Sequence, residues 1–277
     1  MKRRNKLSYL LMDAMSMLLA LLIFGVPFYY MLINSLKNRR EAGLMDLKLP
    51  EIFQFQNYIQ VIETNNHMII RAFINSVIIT AGGILILIII CSMGGYILHR
   101  AGGKFMSGVS LFLLTGLMLP PAILPTIWVL NVMGVYRTLI GMILVEVALQ
   151  IPFTAMLYRG YTASISREIE EAAYIDGCSS TTMFIRIVFP LLKPVTATVI
   201  VLSSVVIFND FVNPLYFLPG TQNPTIQLTL YNFIGRFSSS FNLLFANVVL
   251  VTIPPLILFI FFNQRIVSGI TAGAIKG

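Results

Sequence analysis

A charged segment lies between long apolar runs and reads Glu170-Glu171-Ala172-Ala173-Tyr174-Ile175-Asp176-Gly177, with Ile187-Val188-Phe189-Pro190 following. Acidic residues crowd the expected start of its first helix, where the helix dipole favours negative charge. Gly177 suits the position just after that helix, because glycine readily adopts a positive φ. Helix and glycine turn together predict a compact protrusion that a soluble partner can grip.

A second, amphipathic helix is predicted from about Ser180, and Pro190 is expected to mark its end. Its apolar residues recur at positions i, i+3, i+4 and i+7, which are Phe184, Ile187, Val188 and Leu191.

The composition is that of a polytopic membrane protein. Of 277 residues, 57% are hydrophobic and 11% are charged, and the mean hydropathy is +0.85. A soluble domain carries roughly 25% charged residues. The net charge of +8 is explained by basic residues that flank spans on the cytoplasmic side, so nucleic-acid binding is not predicted.

The apolar runs predict six membrane spans, each near or above the roughly 20 residues that cross the hydrocarbon layer. They cover residues 10–33, 69–97, 105–130, 138–158, 194–215 and 243–262. The predicted organisation is a cytoplasmic N-terminus (1–9), a first span with its flank (10–36), an external loop (37–68) and a permease core (69–277). The core contains a cytoplasmic insert (159–193), an outer loop (216–241) and a cytoplasmic C-terminal tail (264–277). Most of the 19 lysines and arginines fall on the inner side if both termini are cytoplasmic.

Three stretches carry a resemblance to a known family. Glu171-Ala172-Ala173, then Gly177 after three further residues, then Ile187–Pro190, resembles the EAA loop of ABC importer permeases. Phe208–Leu215 is similar to the fifth-span segment of sugar permeases, and Ile266–Gly277 resembles the C-terminus of their MalG-like subunit. Leucine is more usual than Phe189, and tryptophan often replaces Phe208. With the six-span layout, the resemblance covers nearly the whole chain.

The resemblance implies an all-α integral membrane protein of the type I ABC importer (MetI/MalG-like) permease fold, with six transmembrane helices. In this family the EAA helix sits in a cleft of a cytosolic ATPase. The residues implied in ATPase coupling are Glu170, Glu171, Ala172, Ala173, Asp176, Gly177 and Pro190. A second ATPase contact is implied at Gly269, Gly273, Lys276 and Gly277.

The resemblance also implies the partners of an oligosaccharide importer in the bacterial plasma (inner) membrane. They are a second, MalF-like permease, a MalK-like ATPase dimer and an extracytoplasmic sugar-binding protein, with membrane lipid around the spans. The chain contains no Gly-x-x-x-x-Gly-Lys-Ser/Thr phosphate loop. No cofactor is therefore expected in this chain, and ATP-Mg is expected on the ATPase.

Polar residues inside spans are costly and often mark substrate pathways. The candidates for the substrate path are Trp128, Glu146, Gln150, Asn209, Asp210 and Asn213. Turn capping and helix contacts are equally open roles for the last three, an interhelical contact for Glu146, and an interfacial anchor for Trp128. The candidates for docking of the binding protein are Pro219, Gly220, Gln222 and Asn223.

Two other kinds of transporter stay open at this stage. A secondary transporter would use Glu146 or Asp210 as its coupling carboxylate. An ABC importer of an amino acid or peptide is the other, although the C-terminal resemblance argues against it. A membrane hydrolase is disfavoured because no His-Glu-x-x-His motif is present. His67 and His99 fall in loops on opposite faces, so no metal site is predicted.

Overall fold

The computed structural model describes residues 6–235 and 239–274, with side chains described for 12–235, 239–257, 260 and 261. Within these residues the regular structure is helical, apart from one antiparallel bridge between Ile234 and Ser239. The helices are α1 (Lys6–Ala20), α2 (Val26–Ser35), α3 (Arg39–Gly43), α4 (Gln56–Arg100), α5 (Lys104–Met118), α6 (Ile123–Val132), α7 (Leu139–Thr162), α8 (Arg167–Ile175), α9 (Ser180–Met183), α10 (Phe189–Leu191), α11 (Lys193–Phe208), α12 (Val212–Phe217) and α13 (Phe241–Ala274).

Three of these helical stretches are long and apolar enough to cross a membrane: Met12–Ser35, Gln56–Arg100 and Leu139–Thr162. Two bent pairs, α5 with α6 and α9–α10 with α11, raise that number to five if each pair is one span. A shorter apolar stretch, Phe241–Ile257, belongs to α13. The prediction of apolar membrane helices is confirmed, whereas a count of six uninterrupted spans is not what the described residues show.

The third predicted span is broken at its prolines. Between α5 and α6 the helix axis turns by 116°. Leu119, which precedes Pro120, has an extended backbone (φ −83°, ψ 131°), as expected for a residue whose helical conformation is disfavoured by the following proline ring. The prolines therefore divide this span into two helices with a sharp change of direction between them.

The fifth predicted span is shorter than expected. Helix α11 ends at Phe208, and residues 209–211 separate it from the short α12. The sequence predicts a span that continues to Leu215. At the start of α12 the Asp210 carboxylate accepts hydrogen bonds from the backbone nitrogens of Val212 and Asn213.

Helix α4 contains a turn of unusual backbone conformation. Asn65, Asn66 and His67 have φ values of 51°, 55° and 56°. Asparagine and histidine are among the few residue types other than glycine that tolerate this region. The predicted external loop, residues 37–68, thus contains α3 and the first turns of α4.

One compact unit contains described residues up to 70 together with 229–253. Buried asparagines hold it together: Asn242 donates from Nδ2 to Asn57 Oδ1 (2.8 Å), and Asn57 Nδ2 donates to the carbonyls of Ser35 (2.8 Å) and Lys37 (2.9 Å). Each asparagine thereby satisfies backbone or amide groups that would otherwise be buried without a partner.

The side chain of Lys37 is also buried in this unit. Its Nζ donates to Asp46 Oδ1 (2.6 Å), to the Asp46 carbonyl (2.9 Å) and to Asn34 Oδ1 (3.1 Å). Three acceptors satisfy all three protons of the ammonium group, which explains how a charge is accommodated at 1% exposure.

The second compact unit contains residues 71–228 and 254–274. Its core forms where α4 lies against α7: Leu87, Cys91 and Tyr158 are buried, and the Tyr158 hydroxyl group lies 3.0 Å from Thr196 Oγ1. Gly95 permits this approach, because a Cβ atom there would lie 2.8 Å from both the Ala155 carbonyl oxygen and the Arg159 nitrogen. The absence of a side chain at Gly95 thus allows the backbones of α4 and α7 to come close together.

Candidate functional site

Helix α8 carries the charged segment, and its own residues define both of its ends. Ser166 is the N-cap and accepts a hydrogen bond from the Glu168 nitrogen (3.3 Å). At the other end Gly177 has a φ of +77°. The Gly177 nitrogen donates to the Tyr174 carbonyl, and the Cys178 nitrogen donates to the Ala173 carbonyl, both at 3.0 Å. These are the two hydrogen bonds of a Schellman motif, so the predicted glycine turn is present.

The helix has two different faces. Glu171 and Ala172 are exposed, as are the large side chains of Tyr174 (74%) and Ile175 (84%). Ala173, by contrast, is buried against the rest of this chain. The two alanines of the motif therefore face different ways, and only Ala172 is free to meet a partner.

Glu170 also lies on the inward face. Its Oε1 lies 2.6 Å from Arg100 Nη2 and accepts a hydrogen bond from Arg100 Nε (2.8 Å), and its Oε2 accepts one from the Tyr96 hydroxyl (2.8 Å). Arg100 Nη2 also donates to the Ile165 carbonyl (2.7 Å), just before the N-cap of α8. The sequence placed Glu170 with the ATPase-coupling residues, whereas the structure engages its carboxylate within the chain.

No sequence motif marks this cluster, because Arg100 follows a membrane span, where basic residues are common, and Tyr96 lies within an apolar run. Tyr96 and Arg100 are four residues apart, and residues with this spacing lie on the same face of a helix. That spacing does not reveal which acid, 70 residues away, completes the cluster.

Residues 180–191 form one helical stretch with a π-helical turn in its centre, Phe184–Val188. Pro190 lies in α10, which ends at Leu191, so the helix ends one residue after the predicted position, and the axis bends by 71° before α11. The π-helical turn directly precedes the proline: there the Phe189 nitrogen donates to the Phe184 carbonyl, five residues back.

The same turn shifts the buried face. Leu192 and Val188 are fully buried, whereas Leu191 is 39% exposed. A regular α-helical repeat predicts Leu191 on the buried face. The π-helical turn contains more residues than an α-helical turn, so the residue that follows Leu191, Leu192, lies on the buried face instead.

Three of the polar residues proposed for the substrate path, Asn209, Asp210 and Asn213, lie at the break between α11 and α12. Asp210 Oδ1 accepts from the backbone nitrogens of Val212 (3.0 Å) and Asn213 (3.3 Å), and Oδ2 accepts from Asn213 Nδ2 (2.6 Å). Asn209 Oδ1 accepts from Gln227 Nε2 (3.2 Å). Of the two roles open for these residues, turn capping and helix contact describe the observed geometry.

Glu146 lies on α7 and is 2% exposed. Its Oε1 has no hydrogen-bond partner among the described residues. Gln150 follows four residues later, so it lies on the same face of α7, and it is also buried. Trp128 lies on α6 and is 68% exposed. Glu146 and Gln150 are thus buried on one face of α7, whereas Trp128 lies on an open surface.

The predicted docking loop is anchored by its own polar groups. Asn223 Nδ2 donates to the Arg137 carbonyl (2.9 Å), and Asn75 Nδ2 donates to the Pro224 carbonyl (2.9 Å). Gly220 is exposed with a φ of +96°, and Gln222 is exposed beside it. The tip of the loop, around Gly220 and Gln222, is therefore the part that is free to contact another protein.

Two further predictions concern the C-terminal segment and metals. Gly269 and Gly273 lie within α13, and Lys276 and Gly277 lie outside the described residues. Across the described part of the chain, no three His, Cys, Asp or Glu side chains gather in a way that could hold a metal ion.

Comparisons with known proteins give a consistent result. Residues 92–272 match the family model described as "Binding-protein-dependent transport system inner membrane component". The melibiose/raffinose/stachyose import permease protein MelC of Bacillus subtilis is 32% identical over 91% of each chain. The probable starch degradation products transport system permease protein AmyC of Thermoanaerobacterium thermosulfurigenes is 31% identical, over 92% of this chain and 93% of AmyC.

The fold matches a solved structure. A chain in the crystal structure of a bacterial ABC transporter involved in the import of alginate superposes with a TM-score of 0.81, covering 95% of this chain and 98% of that one at 18% identity. This chain therefore shares its helical fold with a chain of that transporter. From the family match and the relatives above 30% identity, the chain belongs to the family of binding-protein-dependent transport system inner membrane components.

Proposed function

We propose that this chain is the permease subunit of an ATP-driven sugar importer and that the imported sugar is an oligosaccharide. In this proposal it forms half of the translocation path and docks a cytosolic ATPase through α8. The family match supports a binding-protein-dependent transporter, and the permeases MelC and AmyC are named for sugar import and for transport of starch degradation products. A relative that is 32% identical over 94% of this chain is named a probable ABC transporter permease protein, which favours the ATP-driven alternative over a secondary transporter.

The observation that carries the docking role is the outward face of α8. Tyr174 and Ile175 are among the most exposed large apolar side chains of the charged insert, although they lie on a short polar helix with buried anchors. Large apolar groups of this kind mark interaction sites when they form a patch with charged neighbours. The partner is an ATPase subunit with a basic cleft, because Glu171 supplies a negative charge beside the apolar pair.

The remaining partners follow from the same assignment. A second, homologous permease would complete the path, and an extracytoplasmic sugar-binding protein would meet the tip around Gly220 and Gln222. ATP-Mg would bind to the ATPase dimer. Both termini and α8 would face the cytosol, and Gly269–Gly277 would give a second ATPase contact.

Within the path, Glu146, Gln150 and Trp128 are the proposed sugar-facing candidates. Glu146 Oε1 retains an unused acceptor, and an exposed indole ring can stack on a sugar ring. Asn209, Asp210 and Asn213 would shape the helix break beside them.

The test is ATP hydrolysis by the complete importer in proteoliposomes, stimulated by its binding protein loaded with melibiose, raffinose, maltotriose, N,N′-diacetylchitobiose or glutamine. Stimulation by one or more of the sugars is expected. Stimulation by glutamine alone would move the chain to an amino-acid importer, and hydrolysis that ignores the loaded binding protein would contradict the proposal.

A further inference from the structure

The attachment of α8 to the rest of the chain is concentrated at one polar cluster. The Glu170 carboxylate receives hydrogen bonds from Arg100 Nε and from the Tyr96 hydroxyl, and forms an ion pair with Arg100 Nη2. Both side chains of the ion pair are only 13% exposed. Arg100 also donates a hydrogen bond to the Ile165 carbonyl. One guanidinium group therefore contacts both the residue before the N-cap of α8 and Glu170 within the helix.

Tyr96 and Arg100, the two residues that bind the Glu170 carboxylate, lie at the packed C-terminal end of α4. Arg100 is the last residue of α4, and Tyr96 lies one helical turn before it. At Gly95, next to Tyr96, a Cβ atom would lie 2.8 Å from backbone atoms of α7, so the two helices approach closely here. The Tyr96 ring also packs against the Phe184 ring, with centroids 5.5 Å apart. The end of α4 is therefore packed against α7 and against the ring of Phe184.

The contacts of α8 differ in kind. Ala173 provides apolar contact, which tolerates sliding, whereas the hydrogen bonds to Glu170 are directional and charge-assisted. Because the ion pair is mostly shielded from water, salt screens it less than an exposed pair. A displacement of α8 is thus resisted at Glu170 more than at Ala173.

We propose that Glu170 and Arg100 form the link through which a displacement of α8 is passed to α4, so that Glu170 is a positioning residue and does not itself bind the ATPase. This inference rests on the proposed docking of an ATPase to the outward face of α8. Glu170 and Glu171 then have separate tasks: Glu171 meets the partner, and Glu170 holds the helix to the membrane-embedded body.

The test uses the complete importer in proteoliposomes, with the sugar that gives the strongest stimulation in the panel above. For Glu170→Gln we expect the ATPase subunits to copurify at the wild-type ratio, while sugar transported per ATP hydrolysed falls by about tenfold. Tyr96→Phe removes a single hydrogen bond and should give a smaller fall. The double variant Glu170→Arg with Arg100→Glu should recover part of the transport lost in Glu170→Arg alone.

The outcomes separate this inference from the docking proposal. Loss of copurification in Glu170→Gln would make Glu170 a partner contact and overturn the inference. Wild-type transport per ATP in Glu170→Gln would overturn it as well. If transport per ATP does not recover in the double variant, the pairing of Glu170 with Arg100 is not what couples α8 to α4, and the inference is overturned. Normal copurification in Glu171→Lys, with Glu170→Gln still uncoupled, would instead contradict the assigned docking face and leave the link intact.

Discussion

A methyl group on Gly95 would lie 2.8 Å from the carbonyl oxygen of Ala155, so α4 and α7 meet here through their backbones. Backbone atoms cannot rotate away as a flexible side chain can. We therefore predict that Gly95→Ala forces the helices apart and destabilises the protein by about 1–3 kcal/mol, the usual range for overpacking. The measurement is the apparent melting temperature of the detergent-solubilised protein.

The neighbouring glycine provides the matched control for that variant. No atom lies within 4 Å of a Cβ placed on Gly94. Gly94→Ala should therefore melt at or above the wild-type temperature, since alanine favours a helix. Equal melting of both variants would show that the close contact at Gly95 is not present in the folded protein.

The turn after α8 gives a second prediction, for Gly177→Val. A φ of +77° costs a residue with a side chain roughly 1–2 kcal/mol, and more if it is β-branched. The end of α8 should then shift, which weakens copurification of the ATPase while membrane insertion continues. Gly102→Ala is the control, because that loop glycine has open space around it and no positive φ. Full transport activity in Gly177→Val would contradict the requirement for this turn.

The outward face of α8 gives a third prediction. Glu171→Lys should reduce copurification of the ATPase subunits at least tenfold, because it reverses the charge beside the exposed Tyr174 and Ile175. Glu168→Lys makes the same charge change on an exposed residue of the same helix. Copurification should be much less affected in that variant, and an equal loss in both would point to net charge as the cause.

The pH dependence of stability is predicted at Asp46. The hydrogen bond from the buried Lys37 ammonium holds the pKa of the Asp46 carboxyl below its ordinary value of 3.8. A carboxyl whose pKa is lower in the folded state stabilises the fold above its unfolded pKa, and this contribution is lost as the pH falls through the folded pKa. Asp46→Asn should therefore melt below wild type at pH 7, and the difference should shrink as the pH falls below about 3.8.

The measurement for Asp46 is a pair of melting curves, wild type and Asp46→Asn, at pH values from 3 to 7. Using the difference between the two proteins removes the contributions of other titrating groups. A difference that stays constant over the whole range would mean that the ion pair with Lys37 does not form.

The ends of α8 were predictable because the forces that define them are local. A serine cap, acids in the first turn and a glycine with positive φ all act within four residues of the helix end. The same holds for the break before Pro120, where the proline ring restricts its immediate neighbour. Such features need no knowledge of the rest of the chain.

The cluster of Tyr96, Arg100 and Glu170 was not predictable in the same way. Its partners are 70 or more residues apart, and nothing in the residue types says which acid a given arginine will meet. The buried pair Asn57 and Asn242 is 185 residues apart and poses the same difficulty. The π-helical turn at Phe184–Val188 was also not predictable, because the i, i+3, i+4, i+7 pattern of apolar residues indicates a regular α-helix of about 3.6 residues per turn.

Every oxygen of the Asp210 carboxylate is already engaged by Val212 or Asn213 of the same chain. Three hydrogen bonds within the chain leave only Oδ2 with spare acceptor capacity, because each carboxylate oxygen can accept about two. Asp210 therefore fixes the junction between α11 and α12, and replacing it should change the course of the backbone there as well as any contact with cargo.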